Sequence, residues 1–116
     1  FFWQATVLTN VPEDARAMNE EPFGPLALIN RVQSVDEAIE RANRLPYGLA
    51  GYAITQDRAT RMQLARGLQT GMLGINSLHV SMPEAPFGGV KESGWGSECG
   101  IEGLQAYCDI KLISED

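Results

Sequence analysis

Histidine, cysteine and long apolar runs are all scarce in this chain. One His (His79) and two Cys (Cys99 and Cys108) stand among 116 residues. The spacing of that pair matches neither a zinc-ligand pattern nor a dense disulfide framework, and a single His does not make a Cys/His metal site. The two Cys are therefore expected as reduced, mostly buried thiols of a cytoplasmic protein. No apolar run is long enough to span a bilayer. Cations are few as well: 9 Lys and Arg face 15 Asp and Glu, a net charge of -6. Nucleic acid and anionic membranes call for clustered Lys and Arg, so neither is expected as a partner. An initiator Met, a basic leader and a signal-peptide architecture are also absent. The sequence opens inside an apolar run, FFWQ, and reads as a piece of something longer.

What is present is the composition of a globular chain, with 44% hydrophobic and 21% charged residues. Its length fits one domain or part of a larger one. Phe1 to Val11 is rich in aromatic and β-branched residues and reads as a strand, Pro12 to Arg16 as a turn, and Pro25 to Val32 as a second, buried strand. Ser34 and Glu37 form a capping box before a helix whose apolar face is Val35, Ala38, Ile39, Ala42 and Leu45. Pro46 and Gly48 stop it. Leu49 to Thr55 reads as a third strand. Asp57 caps a second helix with Ala59, Met62, Ala65 and Leu68 on one side and Gly71 as its stop. Met72 to Asn76 is a fourth strand, Ser77 to Gly96 is irregular, Ile101 to Cys108 a short helix and Ile110 to Ser114 a final strand. Strands alternating with helices imply an α/β fold, with helices packed on a mostly parallel sheet.

Two stretches stand out chemically. NEEPFGP (Asn19 to Pro25) sets two adjacent carboxylates, Glu20 and Glu21, before a backbone restricted by two prolines. It is either a solvated turn or a pair of acids held to grip something polar. APFGGVKESGWGSE (Ala85 to Glu98) carries Gly88, Gly89, Gly94 and Gly96 around Lys91. Glycines let a backbone approach a ligand closely, but the spacing fits neither G-x-x-x-x-G-K-[ST] nor G-x-G-x-x-G. A tight structural or active-site loop is the better reading than a phosphate cradle.

Taken in order, five elements resemble the C-terminal part of the NAD(P)-dependent aldehyde dehydrogenase superfamily. Glu21-Pro22-Phe23-Gly24-Pro25 is similar to its E-x-F-G-P element, and Asn43 to Ala50 (NRLPYGLA) to N-x-x-x-Y-G-L-A. Gly74-Ile75-Asn76 resembles its strand end. Pro86 to Glu98 follows P-F-G-G-x-K-x-S-G-x-G-x-E without a gap. Gly103-Leu104, Tyr107 and Lys111 match the tail. The resemblance covers essentially the whole chain and is closest to the succinate-semialdehyde dehydrogenase type.

The resemblance implies site residues. Glu21 would reach the nicotinamide ribose hydroxyls, since a carboxylate can accept two hydrogen bonds from a vicinal diol. Phe23 would pack by the nicotinamide and limit where the ring sits, on which hydride transfer depends. Glu20 would be a solvated neighbour. Phe87 would line the aldehyde pocket, with core packing as its alternative. Ser81 would lie in the substrate-contacting loop, or be a plain loop serine. Glu98 would be an acid near the catalytic channel, acting in proton relay, or a cap of the following helix. Lys91 is read as structural.

The resemblance also implies an acyl-enzyme route: a Cys thiolate attacks the aldehyde, hydride leaves to NAD or NADP, and water hydrolyses the thioester. Neither Cys99 nor Cys108 lies in the family's nucleophile motif. The nucleophile, the general base and the dinucleotide-binding fold are expected upstream of Phe1, so the chain alone is expected to be inactive. Residues 1–108 are read as the C-terminal portion of the catalytic domain, and 109–116 as an oligomerisation strand of a homo-oligomer, dimer or tetramer. The reaction implied is oxidation of a small aldehyde, such as succinate semialdehyde, to a carboxylate. The alternatives are a stand-alone assembly or binding module without chemistry, and a reductase of the same superfamily acting on an acyl phosphate or thioester.

Overall fold

The computed structural model describes residues 2–116. Two compact units divide the chain, one running through Ala38 and the other spanning Ile39–Asp116.

The first unit is a parallel strand pair with a one-turn helix in its connection. Strand β1 (Thr6–Thr9) lies beside β2 (Leu26–Ile29), Thr6 opposite Leu26 and Thr9 opposite Ile29. Residues 2–5 do not extend the expected strand, and Phe1 falls outside the described residues. The expected turn is present, closed by Ala15 N–H on Pro12 O at 3.1 Å, and helix α1 (Arg16–Asn19) follows it as an element the sequence does not announce. It is one turn of four residues, too short to show an apolar period, and is tied by Asn19 Nδ2, which donates to the carbonyls of Glu13 (2.7 Å) and Ala15 (2.9 Å). Beyond the ladder, the Asn30 amide behaves as one more peptide. Its Oδ1 accepts from Val11 N–H and its Nδ2 donates to Val11 O, both at 2.8 Å.

Helix α2 (Val35–Asn43) begins as its capping residues require. Ser34 Oγ accepts from Glu37 N–H at 3.1 Å, while the Glu37 carboxylate accepts from Gln33 N–H at 2.6 Å. The reciprocal bond thus reaches one residue before the cap, a variation on the capping box.

In the second unit, β4 (Ala50–Ala53) and β5 (Met72–Ile75) pair in parallel around helix α3 (Arg58–Gly67). Asn76 extends this ladder as Asn30 does the other: Oδ1 accepts from Thr55 N–H (2.9 Å) and Nδ2 donates to Thr55 O (2.8 Å). A short antiparallel pair joins β3 (Tyr47–Gly48) to β6 (Val90–Lys91), inside the stretch expected to be irregular. Helix α4 (Gly100–Gln105) follows. The α/β expectation with mostly parallel pairing holds, but the strands form three separate pairs in place of one sheet.

Several local expectations need correction. Helix α3 ends at Gly67 with Leu68 as cap, four residues before Gly71. Its less exposed side runs through Thr60, Leu64 and Gly67, whereas Ala59, Met62 and Ala65 are exposed. The reason is Gly67, where a Cβ would press on the Ile39 side chain at 2.8 Å, so this turn of α3 lies against α2. Asp109–Asp116 forms no strand with any described residue, and Ile110 and Leu112 are fully open to solvent. Cys99 and Cys108 are free thiols, and both are exposed rather than buried. Met72 is the one buried large apolar side chain among the described residues.

Asp57 caps α3 as expected, its carboxylate accepting from Thr60 N–H at 2.6 Å. Those hydrogen bonds to Thr60 hold its carboxyl below the ordinary carboxylate value. A depressed folded-state value means that the cap's contribution is complete above the unfolded value of about 4 and is lost as pH falls through the lower folded one. Asp57→Ala is accordingly expected to lower the thermal midpoint at neutral pH. The two melting curves should converge in acid, and a gap constant across pH would assign the effect to something other than the cap.

Candidate functional site

The acidic pair splits into two unlike carboxylates. Glu20 follows α1 and pairs with Arg16 one turn back, Nη2 to Oε2 at 2.7 Å and Nε to Oε1 at 3.1 Å. The hydrogen bonds and charge of Arg16 hold the Glu20 carboxyl below its ordinary value. It is thus ion-paired, not the merely solvated neighbour expected. Glu21 is exposed and has no hydrogen-bond or ion-pair partner among the described residues.

The prolines explain what happens next. Pro22 and Pro25 fix φ near -65°, and between them the chain folds over itself in two three-residue turns. Gly24 N–H donates to Pro22 O and Leu26 N–H to Gly24 O, each at 2.8 Å. Phe23 sits in the first of these with 94% of its surface exposed. A free carboxylate and a bare aromatic ring therefore stand two residues apart, with the Arg16 cation occupied by the other acid. A carboxylate can accept hydrogen bonds from two neighbouring donors, and an exposed ring can pack against a flat partner.

In the second unit, the glycine-rich stretch closes into a hairpin. Phe87 and Glu98 face each other in an antiparallel bridge, with Phe87 N–H to Glu98 O at 2.8 Å and Glu98 N–H to Phe87 O at 2.7 Å. Between them lies a small cavity of about 200 Å³, lined among others by Phe87, Ser93, Trp95 and Glu98. Phe87 is half-buried and Glu98 exposed. The hairpin seats itself by backbone contact: a Cβ on Gly71 would collide with the Gly88 carbonyl oxygen. That contact is the function of Gly71. Helix α4 takes Cys99 as its N-cap, at φ 58°, without a side-chain cap hydrogen bond. Ser81 lies exposed in the segment before the hairpin.

The structure thus joins Phe87 to Glu98 in one hairpin and sets Glu21 directly before the turn that holds Phe23. It also shows a group that the sequence reading left as merely structural. Lys91 Nζ donates to Asn43 O (2.8 Å) and Leu45 O (3.0 Å), and Ser93 Oγ accepts from Gly48 N–H (2.9 Å). Asn43 in turn holds the end of α3, its Nδ2 donating to Gly67 O (2.7 Å) and its Oδ1 accepting from Gln69 N–H (2.8 Å). The sequence signal was the one cation set among four glycines, which no phosphate motif explained.

The profile of the aldehyde dehydrogenase family matches residues 1–113. The chain belongs to the aldehyde dehydrogenase family. It is 49% identical over 113 residues to 4-(hydroxymethyl)benzenesulfonate dehydrogenase of Comamonas testosteroni, covering 97% of this chain and 24% of that one. It is 40% identical to succinate-semialdehyde dehydrogenase [NADP(+)] 1 of Mycobacterium ulcerans, covering 97% and 25%. Among solved structures it is similar to betaine aldehyde dehydrogenase of Staphylococcus aureus in complex with NAD+, with 39% identity and a TM-score of 0.84 over 91% of this chain and 21% of that one. The chain spans about a quarter of the length of the curated relatives it matches. Two of these relatives involve nicotinamide dinucleotides, NADP(+) by name in one and NAD+ bound in the other.

Proposed function

We propose that this chain forms the nicotinamide-facing and aldehyde-facing walls of an NAD(P)-dependent aldehyde dehydrogenase that oxidises an aldehyde to a carboxylate. The observation that carries this reading is the free Glu21 carboxylate two residues from the bare Phe23 ring. Glu21 accepts the two ribose hydroxyls, and Phe23 restricts the ring to one face. Bound NAD or NADP supplies the hydride acceptor. Phe87 bounds the aldehyde, Ser81 contacts it from the preceding loop, and Glu98 holds a proton-accepting carboxylate near the same hairpin. The attacking thiolate and the deacylating base come from protein outside this chain. The many exposed apolar side chains, Trp3, Leu78 and Tyr107 among them, suit a chain that packs against further protein.

The favoured substrate class is an aldehyde bearing a distal anion. Succinate semialdehyde carries a carboxylate, and the name of the Comamonas relative carries a sulfonate. The test is production of NADH or NADPH by the full-length polypeptide that contains this chain. Succinate semialdehyde and an aromatic sulfonate aldehyde should exceed their uncharged counterparts by about tenfold or more in kcat/KM. The 116-residue chain alone should give no turnover. Failure of every aldehyde, or turnover only in the direction of acyl phosphate or thioester reduction, would remove the dehydrogenase reading.

Ile110, Leu112 and Ile113 form an apolar, unpaired tail. Such a segment invites strand pairing with another chain, and its role in this reading is assembly of a homo-oligomer. Deleting Lys111 to Asp116 from the full-length polypeptide should lower the mass seen by light scattering, whereas an unchanged oligomer takes that role away.

A further inference from the structure

Lys91 occupies a position that favours glycine. Its φ is +56°, in the left-handed region where a Cβ crowds the next carbonyl. It is the second residue of a four-residue turn closed by Ser93 N–H on Val90 O at 3.2 Å. Glycine is abundant on both sides, so a lysine here runs against local preference. Such a conflict persists where the surroundings over-determine it, and it marks functional segments.

The compensation is visible. The last carbonyls of a helix lack intrahelical partners and carry partial negative charge. Lys91 Nζ satisfies one of these at the end of α2, Asn43 O at 2.8 Å, and also Leu45 O, two residues beyond the helix, at 3.0 Å. Its neighbours fasten to the same segment: Glu92 N–H donates to Pro46 O at 2.9 Å, and Ser93 Oγ accepts from Gly48 N–H at 2.9 Å. Three consecutive residues of the turn are thus tied to Asn43–Gly48. Val90, opposite Gly48, leads back through Gly89 and Gly88 to Phe87.

We propose that Lys91 is a positioning residue of the aldehyde pocket: its ammonium locks the Val90–Ser93 turn onto the C-terminal end of α2 and so sets where Phe87 stands. The proposal rests on the reading of Phe87 as a pocket wall. A glycine at this position would relieve the backbone but leave the turn without its bond to α2. A methionine would keep the apolar stem and the strain while removing the charge. An arginine would keep the charge.

The experiment uses the full-length polypeptide with Lys91→Gly, Lys91→Met and Lys91→Arg. In hydrogen exchange followed by mass spectrometry, amides of Phe87 to Glu98 should exchange about tenfold faster in the Gly and Met variants. Those of β4 and β5 should be unchanged. The ratio of kcat/KM between an aromatic and a short aliphatic aldehyde should shift by about fivefold or more, with the KM for coenzyme held within about twofold. Lys91→Arg should recover most of both effects, and Lys91→Gly should regain thermal stability without regaining selectivity. Wild-type exchange in the Gly variant would overturn the lock. Losses on all aldehydes and coenzyme alike, in proportion to thermal stability, would overturn the positioning role. If the Met variant does not fold, the Gly and Arg variants decide. A wild-type polypeptide inactive on every aldehyde would remove the pocket reading, while the exchange data would still judge the lock by itself.

Discussion

Replacing Glu21 by Gln in the full-length polypeptide is expected to lower kcat/KM by about tenfold to a hundredfold, the loss expected for one charge-assisted hydrogen bond. The substitution keeps the side chain's size and one acceptor, and removes the charge and the second oxygen. With the proposed role of Glu21 in orienting the ribose, the loss should be shared between coenzyme binding and hydride transfer, and the KM for aldehyde should move least. Glu20→Gln is the informative partner. Glu20 is held by Arg16 at 2.7 Å on an exposed surface, and such pairs contribute little to stability. Its removal should leave the kinetics near wild type. Steady-state kinetics in coenzyme and in aldehyde for both variants separate the outcomes. Parental constants in both would reduce the pair to a solvated turn, and a sensitive Glu20 would shift the assignment by one residue.

Gly71→Ala should be among the most damaging single-methyl additions in the chain. Its Cβ would meet the carbonyl oxygen of Gly88, with Gly89 Cα 3.0 Å away. Both neighbours are backbone, so neither can swing aside as a side-chain tip would. Inserted methyl groups in packed sites typically cost about 1–3 kcal/mol, and a backbone obstacle puts this case at or above the upper end. The hairpin must move to admit the methyl, so Phe87 moves with it, and on the proposed reading aldehyde turnover by the full-length polypeptide falls too. Gly51→Ala is the matched control, since its Cβ would find only ordinary contacts from 3.5 Å outward. Thermal unfolding of the two variants should show a clear drop for Gly71→Ala and little change for Gly51→Ala. Equal midpoints would show that the Gly71–Gly88 approach is slack.

These two sites show where sequence is informative. The caps of α2 and α3 were readable because Ser34 with Glu37, and Asp57 with Thr60, act within three residues of one another. The parallel pairs were readable from their apolar runs. Helix α1 was not, because four residues carry no period. The face of α3 was misassigned because Gly67, which has no side chain to score, makes the contact with Ile39. The β3–β6 pair and the Lys91 lock join residues 42 to 48 positions apart, and nothing local announces them. Gly71 looked like a helix stop because close backbone approach and left-handed turns favour the same residue.

The candidate site divides in the same way. Motif order points to Glu21, Phe23, Phe87 and Glu98 as candidates, but spacing cannot say which of the two acids is free. That followed from the position of Arg16 four residues before Glu20, an i,i+4 pair formed only once α1 exists. The side-chain amides of Asn30, Asn43 and Asn76 were likewise opaque. Each one stands in for a peptide group across an element boundary. Only the fold reveals which backbone groups they complete.

A crystal structure of the full-length polypeptide with NAD+ bound tests the account most directly. The Glu21 carboxylate is predicted to lie about 2.6–3.2 Å from the ribose hydroxyls beside the nicotinamide, with Phe23 against the ring and Glu20 still on Arg16. A Glu21 carboxylate facing solvent, with the ribose held by other groups, would contradict it.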